Sequence, residues 1–163
     1  MNEFEKALDI VEAKTVEVPD VVYHGTNSKP FDRFKQTGGK VSTVFGTEAV
    51  KRTGFFFAPD EELARDFGKN VAKVKLHLDK VIDLEHDTTL DDKWEAAGYN
   101  RKWLTSVETW ELFDGEDGEE FVRFLQKNGY DGAAFVEPEA GKGRSGWAFV
   151  AFDPKDIEIL EWN

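Results

Sequence analysis

The segment GFFFAPDEELARDFG, residues 54–68, most constrains the fold because an apolar strand must pass directly into a short helix. The glycine and the three phenylalanines predict a short buried strand. The Pro-Asp pair at 59–60 then predicts a helix N-terminus, with two glutamates at its positive end. Because side chains alternate along a strand, we expect Phe55 or Phe57 to face the core.

Further strands are predicted by short apolar runs or by alternation of apolar and polar side chains. Residues 72–78, AKVKLHL, alternate and predict a half-buried strand. GAAFVE and WAFVAF lie on either side of a glycine-rich turn and predict two paired strands. The remaining predicted strands are VVYH (21–24), FDRFKQ (31–36), VIDL (81–84) and DIEILEW (156–162). The polar residues after FDRFKQ, up to residue 53, are expected to form a long loop.

Helices are predicted between groups of strands rather than in regular alternation with them. Residues 3–14 carry apolar side chains at helical spacing, and residues 119–129 predict a helix that ends at its last glycine. Residues 85–118 are acidic and rich in tryptophan, and they predict one or two helices interrupted near Gly98. Strands in runs with segregated helices favour an α+β fold.

Length and charge limit the classes of protein and of partner. A chain of 163 residues fits one domain, residues 1–163. The net charge of −12 repels phosphate backbones, which disfavours nucleic acid and favours a protein partner. No run approaches the length of a membrane span, and the acidic N-terminus does not resemble a secretory signal, so we expect a cytoplasmic protein. The chain has no cysteine, which excludes disulfides, thiolate metal sites and cysteine nucleophiles.

The common short catalytic motifs do not occur in the chain. There is no G-x-G-x-x-G after a strand, no Walker A loop and no G-x-S-x-G elbow. The three histidines, at positions 24, 77 and 86, lack zinc-site spacing, and the acidic stretch 83–92 matches no calcium or zinc template. We therefore expect no metal site.

His24 and Gly25 stand side by side at the end of the strand VVYH. A glycine at this place lets a ligand approach the backbone closely, and the neighbouring N–H and C=O groups could hold a planar amide. The alternative is a structural histidine beside a turn glycine. The pair alone does not decide between these interpretations.

The order of the segments resembles the ADP-ribosyltransferase superfamily, in the branch whose His–aromatic–acid triad is shared by diphtheria-type toxins and poly(ADP-ribose) polymerases. Small domains encoded by bacteriophages are the most similar. The resemblance is carried by VVYHGT, GFFFAPDEELARDFG, VAKVKLHLDKVIDL, GYDGAAFVE and WAFVAFDPKDIEIL. It implies a split β-sandwich of two small sheets with flanking helices and an NAD cleft, and it leaves residues 85–118 as a Trp-rich helical insert.

The resemblance implies that NAD⁺ is the substrate. His24 corresponds to the histidine that hydrogen-bonds the adenosine ribose, Gly25 to the glycine whose backbone holds the nicotinamide carboxamide, and Thr26 would contact the adenosine side. Phe56 stands where the family has a tyrosine, so the ring is kept and the hydroxyl is lost. Phe67 corresponds to a second aromatic residue on the following helix, and the two rings would sandwich the nicotinamide.

The catalytic acid has two candidate positions. Many relatives carry a glutamate just before the strand equivalent to FVAF, where this chain has Ala148. Other small relatives carry it at the end of the preceding strand, which corresponds to Glu137, with Glu139 close by. We therefore predict Glu137 as the catalytic acid, together with His24 and Phe56. The alternative is that Glu137 is a solvent-facing hairpin residue and that NAD⁺ is bound without turnover.

The resemblance implies a mono-ADP-ribosyltransferase that modifies a protein target in phage–host or toxin–target conflict. A carboxylate in such a site stabilises the oxocarbenium-like transition state. The alternatives are a degenerate NAD-binding or inhibitor module of the same fold and an NAD glycohydrolase. Lys142 and Arg144 could contact NAD⁺ phosphates or the target. The Trp-rich insert is a candidate for target contact, since exposed tryptophan marks interfaces, or a helical lid that completes the core.

Overall fold

The computed structural model describes residues 14–35, 40–43, 46–140 and 144–163. Its strands are β1 (Val22–Thr26), β2 (Lys40–Thr43), β3 (Gly46–Lys51), β4 (Phe55–Phe57), β5 (Asn70–Leu76), β6 (Val81–Asp83), β7 (Gly132–Ala140), β8 (Arg144–Ala151) and β9 (Ile157–Trp162). Its α-helices are α1 (Glu61–Arg65), α2 (Leu90–Ala96), α3 (Trp103–Ser106) and α4 (Gly115–Lys127), and 3₁₀ helices span Thr109–Phe113 and Pro154–Asp156. The predicted helix at 3–14 lies outside the described residues, apart from its last position.

Two small sheets and the helices beside them confirm the α+β prediction. One sheet has the strand order β1-β5-β9, and the other has the order β4-β8-β7-β6. Neighbouring strands are antiparallel except β6 and β7, which run parallel. Strands β7 and β8 pair as predicted for GAAFVE and WAFVAF.

The region between β1 and β4 differs from the prediction. Residues 31–35 form no strand, and the expected loop contains β2 and β3, which pair with each other. Phe34 is buried against Phe55 and Phe57 instead of alternating along a strand. The sequence did not predict this hairpin, because its short strands are mostly polar and show no apolar alternation. The strands are recognised only by the backbone pairing of β2 with β3.

The alternation in β4 divides its three phenylalanines between two cores. Phe55 and Phe57 are buried between the two sheets, together with Val22, Val74 and other residues. Phe56 points to the opposite face of the four-stranded sheet, where the helices pack. Burial of a large apolar side chain contributes about 1.5–3 kcal/mol, which holds Phe55 and Phe57 in the core between the sheets. Phe56, on the opposite face, is the phenylalanine of β4 that is left for a site on that face.

The Trp-rich insert covers the outer face of the four-stranded sheet. It is helical as predicted, and its first helix ends before Gly98, whose φ is +96°. Trp94 is only 4% exposed, and Trp103 and Trp110 are partly buried against the same cluster. The expectation that the tryptophans of the insert are exposed is therefore wrong, while contact of the insert with a target stays a prediction. The insert completes the core because its rings pack on α4 and on the sheet.

Candidate active site

A cavity of about 170 Å³ lies where β1, α1 and the edge of the four-stranded sheet meet. Five predicted site residues line it: His24, Gly25, Phe56, Phe67 and Glu137. The other lining residues are Tyr23, Arg52, Phe57, Ala58, Leu63, Ala64, Trp147 and Ala148. Sites that enclose a drug-sized ligand have roughly 300–1,000 Å³, so this cavity can enclose one end of a dinucleotide rather than the whole molecule.

Backbone hydrogen bonds join the two sheets beside the cavity. The N–H of Tyr23 donates to the carbonyl of Ala58 at 2.8 Å, and the N–H of Ala58 donates to the carbonyl of Tyr23 at 2.7 Å. Asp60 caps α1 as predicted, because its carboxylate accepts from the N–H of Leu63 at 2.7 Å. The strand–turn–helix segment is thereby held against β1.

His24 is fixed as a neutral ring. Its Nδ1 lies 2.8 Å from the carbonyl oxygen of Phe56, which can only accept, so Nδ1 carries the proton. Burial lowers the pKa of His24 below its usual value, and the hydrogen bond to Phe56 offsets this in part. The rings of Phe34 and Phe57 lie 5.0 and 5.7 Å from it. Nε2 is therefore an acceptor, which can receive a hydrogen bond from a ribose hydroxyl.

Gly25 is required by the helix that packs on it. A Cβ at this position would lie 1.7 Å from the carbonyl oxygen of Ala64. The space of the missing side chain is therefore occupied by α1, and the close approach of a ligand to the backbone of Gly25 stays a prediction. Val71 lies opposite Gly25 on β5, but it exchanges both of its backbone hydrogen bonds with Asn163. Gly25 and Val71 are therefore a non-hydrogen-bonded pair, and the N–H and C=O of Gly25 point to the other edge of β1. This is the edge on which Tyr23 forms hydrogen bonds with Ala58.

Phe56 is held at one side of the cavity by edge contacts with Phe113 and Phe135, at 5.4 and 5.8 Å. The guanidinium of Arg52 lies over its ring, 4.8 Å from the centroid. Only part of the Phe56 ring is therefore available for stacking with a ligand.

Phe67 has an exposed fraction of 48%, which is unusual for a large apolar side chain. It was expected on the helix, but α1 ends at Arg65 and Phe67 lies in the following turn. Gly68 packs so closely on β1 that a Cβ there would lie 2.2 Å from the carbonyl carbon of Thr26. This contact holds the turn, and with it Phe67, at the cavity.

Thr26 is not among the residues that line the cavity. Its hydroxyl oxygen accepts from the N–H of Ser28 at 3.1 Å, in the turn that follows β1. Its contact with the adenosine side stays a prediction.

Glu137 lies half-buried in the cavity wall rather than on an open hairpin surface. Burial raises the pKa of its carboxyl group, and the positive charge of Arg52 acts in the opposite direction. Ala148, the other candidate position for the acid, also lines the cavity and is 6% exposed. The site therefore has a carboxylate at one of the two family positions and a methyl group at the other. The side chain of Glu139 lies outside the described part of the structure.

Arg52 and Trp147 are cavity residues that the sequence did not indicate. Arg52 follows β3 in a segment expected to be loop, and its Nε donates to Asp114 at 2.8 Å. Trp147 lies on β8 with its ring stacked near that of Phe149. A basic residue just before the Phe-rich strand was the one available signal for Arg52. Lys142 lies outside the described residues, and Arg144 begins β8, with its side chain outside them.

Metal and membrane features can be assessed for the described residues alone. Among them, no three His, Cys, Asp or Glu side chains are placed to hold a metal ion. No helix in the same part of the chain has the length and apolarity needed to cross a membrane.

Three comparisons with known proteins were made. The model of a family described as ADP-ribosyltransferase in polyvalent proteins matches residues 18–160. No curated protein matches the chain. Among solved structures, the chain is similar to one titled "Crystal structure of an anti-CRISPR protein", with 14% identity and a TM-score of 0.48, over 92% of this chain and 98% of that chain.

Proposed function

The chain belongs to the family of ADP-ribosyltransferases in polyvalent proteins, and on that premise we propose that it transfers ADP-ribose from NAD⁺ to a protein target. The single observation that carries the proposal is the convergence of His24, Gly25, Phe56, Phe67 and Glu137 on one cavity. These residues come from distant parts of the chain, and the sequence alone predicts each of them as a site residue.

The part of the cavity lined by Phe67, Gly25 and His24 suits a nicotinamide ring and a ribose hydroxyl. Phe67 offers a half-exposed aromatic face, and stacking on such a ring contributes about 0.5–1.5 kcal/mol beyond the buried area. The backbone N–H and C=O of Gly25 offer one donor and one acceptor, the pair that a carboxamide requires. The neutral His24 would accept a hydrogen bond from a ribose hydroxyl through Nε2.

Glu137 supplies the chemistry of the proposed reaction. The bond between C1′ of the ribose and the nicotinamide nitrogen breaks, the nitrogen keeps the electron pair, and positive charge develops on the sugar. The carboxylate of Glu137 would stabilise that charge and hydrogen-bond the 2′-hydroxyl. A nucleophile of the target then forms a bond to C1′, and its proton passes to Glu137 or to water.

A second candidate function is an NAD⁺-binding module that does not turn over its ligand. Ala148 favours it, because a buried methyl group stands where many relatives carry the catalytic glutamate. Phe56 favours it as well, since the family hydroxyl is missing. The setting in phage–host or toxin–target conflict, and in the cytoplasm, stays a prediction.

The test is transfer of label from adenine-labelled NAD⁺ to proteins of a cell extract. Wild type is compared with Glu137→Gln and with the matched control Glu139→Gln, and NAD⁺ binding is measured by calorimetry for each. We expect a discrete labelled protein with wild type and Glu139→Gln, and a loss of about 10²–10³-fold with Glu137→Gln while binding persists.

The other outcomes separate the rivals. Binding without label transfer favours the module, and release of free ADP-ribose without any target favours a glycohydrolase. A chain that does not bind NAD⁺ contradicts the whole proposal.

A further inference from the structure

Arg52 joins the Trp-rich insert to the cavity. Its Nε and Nη2 donate to the two carboxylate oxygens of Asp114, at 2.8 and 3.3 Å. The N–H of Thr53 donates to the carbonyl of Phe113 at 2.9 Å, so the two segments run side by side at this point. A bidentate pair supported by a backbone bond fixes the guanidinium in one orientation.

The same guanidinium also lies over two aromatic rings. Its central carbon lies 4.8 Å from the ring centroid of Phe56 and 5.4 Å from that of Trp110. Trp110 belongs to the 3₁₀ helix Thr109–Phe113 of the insert, and Phe56 belongs to β4. Arg52 is thus held by groups on both sides of the cavity edge.

Few titratable side chains line the cavity together with Glu137. Among the described residues that line the cavity, the titratable ones are Tyr23, His24, Arg52 and Glu137. Burial lowers the pKa of His24, which disfavours its charged form, whereas the guanidinium of Arg52 carries a permanent positive charge. Burial raises the pKa of Glu137 and Arg52 opposes that effect, while Asp114 neutralises part of the Arg52 charge from behind.

We infer that Arg52 is the positioning residue for Glu137, and that Asp114 and Trp110 of the insert hold it in that role. Arg52 balances the charge of the half-buried carboxylate and keeps it directed into the cavity. The insert therefore takes part in the site through Arg52 although its tryptophans are not exposed. The inference rests on the proposed function for the role of Glu137, but the electrostatic effect of Arg52 on Glu137 can be tested without activity.

The test follows the side-chain carboxyl resonance of Glu137 in ¹³C-glutamate-labelled protein as a function of pH, assigned with Glu137→Gln. Arg52→Gln should move the midpoint to higher pH, whereas Arg52→Lys should leave it near the wild-type value. Lys51→Gln is the matched control, because it removes the neighbouring positive charge, whose ion pair with Glu119 lies outside the cavity. Arg52→Met keeps an apolar chain between the rings and replaces Arg52→Gln if that variant does not fold.

The pH profile of transfer gives the second measurement. With Arg52→Gln we expect kcat to fall by a larger factor at pH 6 than at pH 8.5, because more of the carboxyl is protonated at the lower pH. A purely structural role would lower kcat equally at both values.

The two proposals fail separately. A shifted midpoint in a chain without transfer activity overturns the proposed function and supports the role of Arg52. An unshifted midpoint in whichever charge-free variant folds overturns the role of Arg52, whatever the activity.

Discussion

The two walls of the cavity differ in what holds their functional groups in place. The wall of β1 and α1 is fixed by backbone contacts, because Tyr23 and Ala58 exchange two hydrogen bonds and the Ala64 carbonyl fills the side-chain space at Gly25. The opposite wall is fixed by charge, since Asp114 holds Arg52, and Arg52 lines the same cavity as Glu137. The first wall should tolerate changes of pH but not of shape, and the second should respond to both charge and pH.

The largest expected effect is on the backbone-fixed wall. Gly25→Ala should lower the free energy of unfolding by about 3 kcal/mol or more, because overpacking typically costs about 1–3 kcal/mol and a helix carbonyl cannot move aside as a side chain can. Chemical denaturation of wild type and variant measures the loss.

Gly146→Ala, in β8, is the matched control. A Cβ there would meet Cδ2 of Leu63 at 2.6 Å, and this methyl group can rotate away. We expect a loss of about 1 kcal/mol or less. Equal losses for the two variants would contradict the fixation of the first wall by backbone contacts.

The next effect is on ligand binding by Phe67. Phe67→Ala should weaken NAD⁺ binding about two- to tenfold, since one stacking contact is lost, and should leave the unfolding free energy nearly unchanged. Leu160→Ala is the control, because Leu160 is similarly exposed, at 43%, but does not line the cavity. Calorimetric titration that shows equal affinities for the two variants would remove Phe67 from the site.

The smallest effect is the pH dependence of stability on the charged wall. The folded protein raises the pKa of Glu137, so it binds this proton more tightly than the unfolded chain does. The contribution of Glu137 to the free energy of unfolding is fully present below the ordinary glutamate pKa. It is lost as the pH rises through the raised pKa of the folded protein. Glu137→Gln should therefore have a higher Tm than wild type at pH 8 and a nearly equal Tm at pH 4. A Tm difference that does not change between these pH values would contradict burial of the carboxylate.

The first wall could be predicted from the sequence because its pattern is local. Alternation in the Phe-rich strand predicted Phe55 or Phe57 in the core, where both lie, and the Pro-Asp pair at 59–60 marked the start of α1. The resemblance supplied His24 for this wall and Glu137 for the opposite one, and both line the cavity.

The contacts that hold the second wall could not be predicted, because they join residues that are far apart in the chain. Arg52 takes its position from Asp114 and Trp110, and no local pattern connects them. The prediction that the tryptophans are exposed was wrong for the same reason, since the burial of Trp94 depends on its packing against α4. Local patterns thus predicted strands, caps and faces, but not which side chains meet across elements.

The most direct test of the central claim is a crystal structure of the protein with NAD⁺. We expect the nicotinamide ring against Phe67, its carboxamide on the backbone of Gly25, the adenosine ribose at His24 and the nicotinamide ribose at Glu137. A cavity that stays filled by the protein's own side chains, with NAD⁺ bound elsewhere or not at all, would contradict it.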